Sequence, residues 1–210
     1  MAFRENFEVD TITDFSRSIC DGVILAGGQS RRMGQDKALL PVAGKPLIMN
    51  QVDAMLPHVA RLWLVSNRSL VLDLPESVHL LVDALAGSEG PLSGLLSALQ
   101  STHADYLWLS SCDSFGFGWQ QAEPMLRQLQ QENAEIVYWQ QDSKAQPLLA
   151  VLKVAGLWAN LEAYLQAGQR SVLGWYATVN AQAWVSAQPV VANINTPDDY
   201  RRLLESIHAD

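Results

Sequence analysis

The chain has 210 residues, 49% of them hydrophobic and 17% charged, with a formal net charge of −8. That length and apolar content predict one globular domain with a sizeable core. The acidic balance argues against nucleic acid as a bulk partner. No apolar run reaches the roughly 18–20 residues of a bilayer-spanning helix, so no membrane partner is expected. Residues 1–20 read as a polar extension without the apolar core of a signal peptide, which predicts a cytoplasmic setting. Cys20 and Cys112 are the only cysteines, consistent with a reduced compartment, and four scattered histidines make a zinc site improbable.

From residue 21 to residue 210 the pattern is that of one α/β domain. Gly22–Leu25 is a short buried strand that Gly27 and Gly28 end abruptly. Pro41–Pro46 is a turn-rich connector, and Pro46 suits the first position of a helix to about His58. Leu62–Ser66 and Val78–Val82 read as strands, closed by Asn67-Arg68-Ser69 and by Asp83. A loop over Ala86–Pro91 precedes a helix from Leu92 to Gln100. Tyr106–Leu109 is continuously apolar, as a central parallel strand would be. A helix over Gln120–Glu132, strands over Ile136–Trp139 and Leu148–Lys153, and a helix from Leu157 to Ala167 follow. Gly168 stands where a helix would stop. Thr196-Pro197-Asp198-Asp199 starts another helix, because Thr can cap, Pro fits the first turn and acids favour its positive end. Alternating strands and helices imply an open, mostly parallel α/β sheet, in which ligands bind beyond the carboxyl ends of the strands.

The stretch Val23 to Leu40 is the chemically richest. After the strand come two glycines, then Arg31, Arg32, Gly34 and Lys37, with no apolar periodicity until Ala38. Glycines let backbone N–H groups approach an anion, arginine offers a planar fork of donors and lysine a compact mobile charge. Arg31, Arg32, Lys37 and Lys45 crowd one segment, whereas no lysine or arginine occurs between Arg68 and Arg127. That second interval holds Asp73, Glu76, Asp83, Glu89, Asp105, Asp113 and Glu123. One segment offers cations to phosphate and another offers carboxylates to a metal. A random scatter of solvated charges would look similar.

The loop fits neither G-x-x-x-x-G-K-[ST] nor G-x-G-x-x-G. Leu25 through Lys37 instead fits L-A-G-G-x-x-x-R-M-G-x-D-K, and so resembles the signature of the molybdenum cofactor guanylyltransferase family. Leu39-Leu40-Pro41 and Gly44-Lys45-Pro46-Leu47 are similar to the family's next segment. Gly90-Pro91-Leu92-Ser93-Gly94 resembles its G-P-L-x-G turn, Ser111-Cys112-Asp113 its C-D motif, and Asn193-Ile194-Asn195-Thr196-Pro197 its N-x-N-T-P. The similarity covers most of residues 22–207. It implies a three-layer, Rossmann-like nucleotidyltransferase fold of the glycosyltransferase-A kind.

The resemblance also implies the chemistry, which is transfer of GMP from GTP to the terminal phosphate of molybdenum-bearing molybdopterin, with release of pyrophosphate. It implies a catalytic set of Arg32, Lys37 and Asp113, and a nucleotide-binding set of Leu25, Ala26, Gly27, Gly28, Gly34, Lys37, Asn67, Asp83, Gly90, Asn193 and Asn195. Asp113 is the implied ligand of Mg²⁺, and proteins that deliver or accept the cofactor would be transient partners. Asp113 also has a case of its own, since it follows a buried strand into the expected crevice, where Mg²⁺ takes one or two carboxylates plus phosphate oxygens. A turn or cap would use the same residue, and turn formation would equally explain Asn193 and Asn195.

Two departures from the family pattern stand out. Ser114-Phe115-Gly116-Phe117-Gly118 replaces a small residue and proline, which predicts a more flexible loop. Gln146-Pro147 stands where the family often has His-Pro. Trp119 and Trp175 are candidate pterin contacts, although core packing explains tryptophans in apolar segments. The competing readings are a related cytidylyltransferase or sugar-nucleotide pyrophosphorylase, against which the Gly27-Gly28 pair speaks, and a catalytically weak nucleotide- or pterin-binding partner.

Overall fold

The computed structural model describes residues 20–27, 36–68, 71–83, 90–186 and 192–207. Its strands are β1 (Cys20–Leu25), β2 (Pro41–Val42), β3 (Lys45–Pro46), β4 (Leu62–Val65), β5 (Val78–Leu81), β6 (Tyr106–Ser111), β7 (Ser114–Phe115), β8 (Ile136–Gln141), β9 (Lys144–Lys153), β10 (Ala181–Ser186) and β11 (Ala192–Asn193). Its helices are α1 (Leu47–Met55), α2 (Pro91–Ser101), α3 (Trp119–Gln131), α4 (Leu157–Gln166), α5 (Val172–Tyr176) and α6 (Pro197–Ile207). Seven strands form one sheet in the order β10-β8-β9-β6-β1-β4-β5. All neighbours are parallel except β9, which runs antiparallel to both β8 and β6.

Strand alternation builds the two faces. Ile24, Leu62, Leu64, Trp108, Val137 and Val151 point to one side, under Ile48, Val52 and Met55 of α1 and Met125 and Leu129 of α3. Val23, Leu25, Leu107, Leu109, Ala150 and Leu152 point to the other, under leucines of α2 and α4. Helices on both faces explain why β1 and β6 read as continuous apolar runs: each face needs its own apolar set. The sheet is thus the middle of three layers. A smaller cluster of Leu40, Val42, Leu47, Ile194 and Leu203 seats α6 on the β2–β3 hairpin, and the Tyr200 hydroxyl donates to the Pro41 carbonyl at 2.6 Å.

Several expectations change in detail. Pro41–Pro46 is a β-hairpin whose turn, Ala43-Gly44, lies at positive φ as a two-residue hairpin loop requires. Pro46 precedes α1 as its N-cap, with extended backbone, and is not its first helical residue. β9 begins at Lys144, since the Asp142-Ser143 turn pairs Lys144–Gln146 with the end of β8 as well as Ala150–Leu152 with its start. β6 is parallel to β1 on one side only. Gly168 does follow α4 at φ +79. α5, β10 and the β7–β11 pair have no clear periodicity in sequence, being short or built from residues that are only partly buried.

The loop after β6 is the main correction. In place of a flexible Gly/Phe segment, Ser114 and Phe115 pair with Asn193 and Ala192. Phe117 is buried edge-on between Trp108 and Trp139, with ring centroids 6.0 and 5.8 Å away. Gln51, buried on α1, donates to the Ser110 hydroxyl at 2.8 Å and to the Phe117 carbonyl at 2.7 Å. A buried aromatic and a buried amide hold the loop, where composition alone pointed to freedom.

At the amino end of the sheet, Asp21 is buried and accepts from the Arg61 amide (3.1 Å), the Trp63 indole (3.1 Å) and the Thr102 hydroxyl (2.6 Å). A buried carboxylate is tolerated only when so satisfied. Among the described residues no helix is long and apolar enough to cross a membrane.

Candidate active site

The carboxyl ends of β1, β4, β5 and β6 lie along one edge of the sheet, where a fold of this kind has its ligand crevice, and the candidate residues gather there in two groups. The first lies beyond β1 and β6. Asp36 caps the short 3₁₀ turn Lys37–Leu39 by accepting from the Ala38 amide at 3.1 Å, and pairs with Arg68 at 3.2 Å. This fixes the base of Lys37, whose ammonium donates to the Asp113 carboxylate and, at 3.3 Å, to the Asn195 side-chain oxygen. Lys37 and Asp113 are 20% and 15% exposed, so the pair faces the crevice from a mostly protein-lined niche. Backbone bonds hold the frame around it. The Cys112 amide donates to the Leu25 carbonyl at 3.1 Å and the Ile194 amide to the Asp113 carbonyl at 3.1 Å.

The second group lies beyond β4 and β5. The Asn67 amide donates to the Asp83 carboxylate at 2.5 Å, while the Asp83 backbone N–H donates back to the Asn67 side-chain oxygen at 3.1 Å. Gly94 of α2 presses on this pair: a Cβ there would sit 2.9 Å from Val65 Cγ1 and 3.0 Å from Asp83 Oδ1. Only glycine lets α2 approach this closely. Gly90, at φ +105, makes the sharp entry into α2 just before Pro91. Leu25, Ala26 and Gly27 lie along the end of β1, between the two groups, and no heavy atom comes within 4 Å of a Cβ built on Gly27.

Of the remaining candidates, Gly28, Arg32 and Gly34 lie outside the described residues. Asn193 is directed away from Lys37 and toward β9, accepting from Ser114 at 3.3 Å and donating to Gln146 at 2.8 Å. It therefore braces the β7–β11 pair, and Asn195 alone of the two joins Lys37. Trp175 is completely buried and cannot stack on a ligand. Trp119 lies against Trp108 and stacks on His58 at 5.0 Å, so packing accounts for it. The Cys112 thiol is pushed up to about 12, first by burial and then by the Asp113 charge, which keeps it protonated and inert beside the site.

Three contributors lie outside the candidate set drawn from sequence. Asp36 stands inside the motif, where its capping role is legible beside Lys37. Gln51 carries no signal, being one polar residue on an apolar helix face. Gly94 is visible as the last letter of Gly90–Gly94, but its contact with Asp83 needs coordinates.

The oxygen atoms of Asp113 and Asn195 converge on a cation, the Lys37 ammonium. That donor set, one carboxylate and one amide oxygen, is what Mg²⁺ uses when substrate phosphates and water complete its shell. Among the described residues there is no group of three or more His, Cys, Asp or Glu that would form an all-protein cage. The arrangement can hold a phosphate chain between a positive group and a carboxylate-bound cation, with Asn67 and Asp83 displaying polar groups farther along the crevice.

Comparison with known proteins narrows these possibilities. Residues 22–182 match the model of the MobA-like NTP transferase domain. A protein of Shewanella sediminis named molybdenum cofactor guanylyltransferase is 36% identical over 190 residues, spanning 89% of this chain and 96% of the relative. One of the same name from Shewanella putrefaciens is 36% identical over 182 residues, spanning 85% and 93%. The crystal structure of molybdopterin-guanine dinucleotide biosynthesis protein A from Archaeoglobus fulgidus superposes with a TM-score of 0.73 at 21% identity, covering 90% of this chain and all of that one.

Proposed function

The chain belongs to the MobA-like NTP transferases, in the branch of the molybdenum cofactor guanylyltransferases, and from that premise we infer that it transfers GMP from GTP to molybdopterin. The observation that carries this reading is the convergence of Lys37, Asp113 and Asn195 at the ends of β1 and β6.

A terminal phosphate oxygen of the acceptor attacks the α-phosphorus of GTP. The bond between the α-phosphorus and its bridging oxygen to the β-phosphorus breaks, and pyrophosphate leaves with the electron pair. The nucleophile is already an anion, so no general base is required. The barrier lies in bringing anions together and in the charge that grows on the leaving group. The Lys37 ammonium, which donates to Asp113 and Asn195, would pair with phosphate oxygens of the nucleotide. Arg32 and the amides of Gly27, Gly28 and Gly34 are assigned to the same phosphate chain by the motif they form. Asn67 and Asp83 supply a donor and acceptors that suit the edge of a guanine.

We assign Asp113, with Asn195 beside it, as the residues that would hold Mg²⁺, a role supported by their converging oxygens. Bound there, the ion would act as a Lewis acid on the α-phosphate and shield the two anions from each other. The acceptor is taken to carry molybdenum, with delivery or acceptor proteins as transient partners and the cytoplasm as the setting.

Pyrophosphate release measured with GTP, Mg²⁺ and molybdenum-bearing molybdopterin tests the reading. Turnover with GTP and little with CTP or other nucleotides is expected. Preference for CTP would move the chain to the cytidylyltransferases, and tight binding without release would make it a binding module.

A further inference from the structure

A directed chain of hydrogen bonds runs from the end of β6 to Gln146. The Ser114 hydroxyl donates to the Asn193 side-chain oxygen at 3.3 Å, and the Asn193 amide donates to the Gln146 side-chain oxygen at 2.8 Å. Ser111 and Ser114 stand 2.7 Å apart, either able to donate. Because the Ser114 proton is used on Asn193, Ser111 must be the donor of that pair. Every link therefore points the same way. The Gln146 oxygen accepts from Asn193, and its amide nitrogen has no acceptor among the described residues. The network orients the side chain so that its two N–H donors are left to present.

The backbone aims it as well. Tyr138 of β8 pairs with Ala150, but the next residue, Trp139, pairs with Gln146. Pro147, Leu148 and Leu149 therefore bulge out of the ladder, and bulges of this kind re-aim a neighbouring side chain. The buried Tyr176 hydroxyl donates to the Pro147 carbonyl at 2.6 Å and pins the bulge. Since β9 runs antiparallel to β6, with Ala150 opposite Leu109, the earlier residues of β9 run toward the carboxyl end of β6. That is the end where Ser114 follows Asp113 directly.

We propose that Gln146 binds the acceptor, its amide N–H groups donating to an oxygen of the acceptor's terminal phosphate. Ser111, Ser114 and Asn193 are positioning residues that hold the amide in that sense. The proposal rests on the guanylyltransferase reading. A neutral double donor suits this role because it grips a phosphate oxygen without competing for the protons or the cation near Asp113. Neither carboxamide titrates between pH 6 and 8, so a change in acceptor binding over that range reports the phosphate itself, whose second pKa is about 6.

The test compares wild type with Gln146→Glu, nearly isosteric but with the donors replaced by an anion, and Gln146→Leu, which removes them without adding charge. Dissociation constants for molybdopterin and, separately, for GTP are measured by fluorescence, alongside pyrophosphate release. Loss of a bond to a charged group predicts that molybdopterin binding weakens roughly tenfold or more in Gln146→Glu and less in Gln146→Leu, with GTP binding within about twofold of wild type. Asn193→Ala, which frees the amide to turn, is expected to weaken molybdopterin binding by a smaller factor and to be far less sensitive to the further change of Gln146 to Leu. Unchanged molybdopterin binding in a folded Gln146→Glu, or equal weakening of GTP and molybdopterin, overturns the proposal. Wild type that binds molybdopterin but transfers no GMP to it overturns the guanylyltransferase reading and leaves the binding comparison intact.

Discussion

Lys37 donates its ammonium proton to the carboxylate of Asp113 across 76 positions of sequence. The two residues leave neighbouring parallel strands, β1 and β6, whose register pairs Leu25 with Ser111. In a largely buried ion pair desolvation offsets the attraction, so it is weak evidence of stability and its value lies in what it places. The cation and the carboxylate meet at one point beyond the strand ends, Lys37 on its 3₁₀ turn and Asp113 on the turn after β6.

Lys37→Ala is expected to lower kcat for pyrophosphate release by about 10²–10³-fold, the usual cost of losing one donor to transition-state charge. Its circular dichroism spectrum should match wild type, since the side chain lies at the crevice edge. Near-normal turnover would remove Lys37 from the chemistry.

For Asp113→Asn, the amide keeps the shape of the side chain but not its charge. Turnover should lose its dependence on Mg²⁺ concentration and fall to background. A variant whose rate still climbs with Mg²⁺ as wild type does would exclude Asp113 as the ligand.

Asp21 offers the opposite case, a buried carboxylate far from the crevice. Asp21→Ala would leave the Trp63 indole, the Arg61 amide and the Thr102 hydroxyl without their acceptor. Urea unfolding should show a loss of about 2–4 kcal/mol. The KM for GTP should be unchanged, because Asp21 lies at the amino end of β1 and the proposed nucleotide site at the other.

Cys20 and Cys112 are both buried, and their thiols are pushed up to about 12, chiefly by desolvation. The thiolate is the form that reacts, and a raised value keeps it scarce until strongly alkaline pH. At pH 8 alkylation by iodoacetamide should be very slow in the native protein. It should become fast in urea, where ordinary thiols titrate near about 8.5. Rapid native labelling of Cys112 would mean that the strand end beside Asp113 opens readily.

The sequence alone determined the main alternation of strands and helices, short elements such as α5, β10 and the β7–β11 pair excepted, and the family. Each rests on local chemistry: apolar runs in β1 and β6 that two helical layers must cover, glycines and a proline at Gly90–Gly94, and a motif of fixed spacing from Leu25 to Lys37. Tertiary structure decided which of the candidates meet. Asn193 and Asn195 are two positions apart and carry the same side chain, yet one turns to Gln146 of β9 and the other to Lys37. That choice follows from the pairing of β11 with β7, a long-range register that no local pattern encodes. The loop Ser114–Gly118 departs from its local pattern for the same reason. Its glycines promise freedom, but Phe117 fills a slot between Trp108 and Trp139 and Gln51 binds its carbonyl, and burial of one ring outweighs the entropy of two glycines.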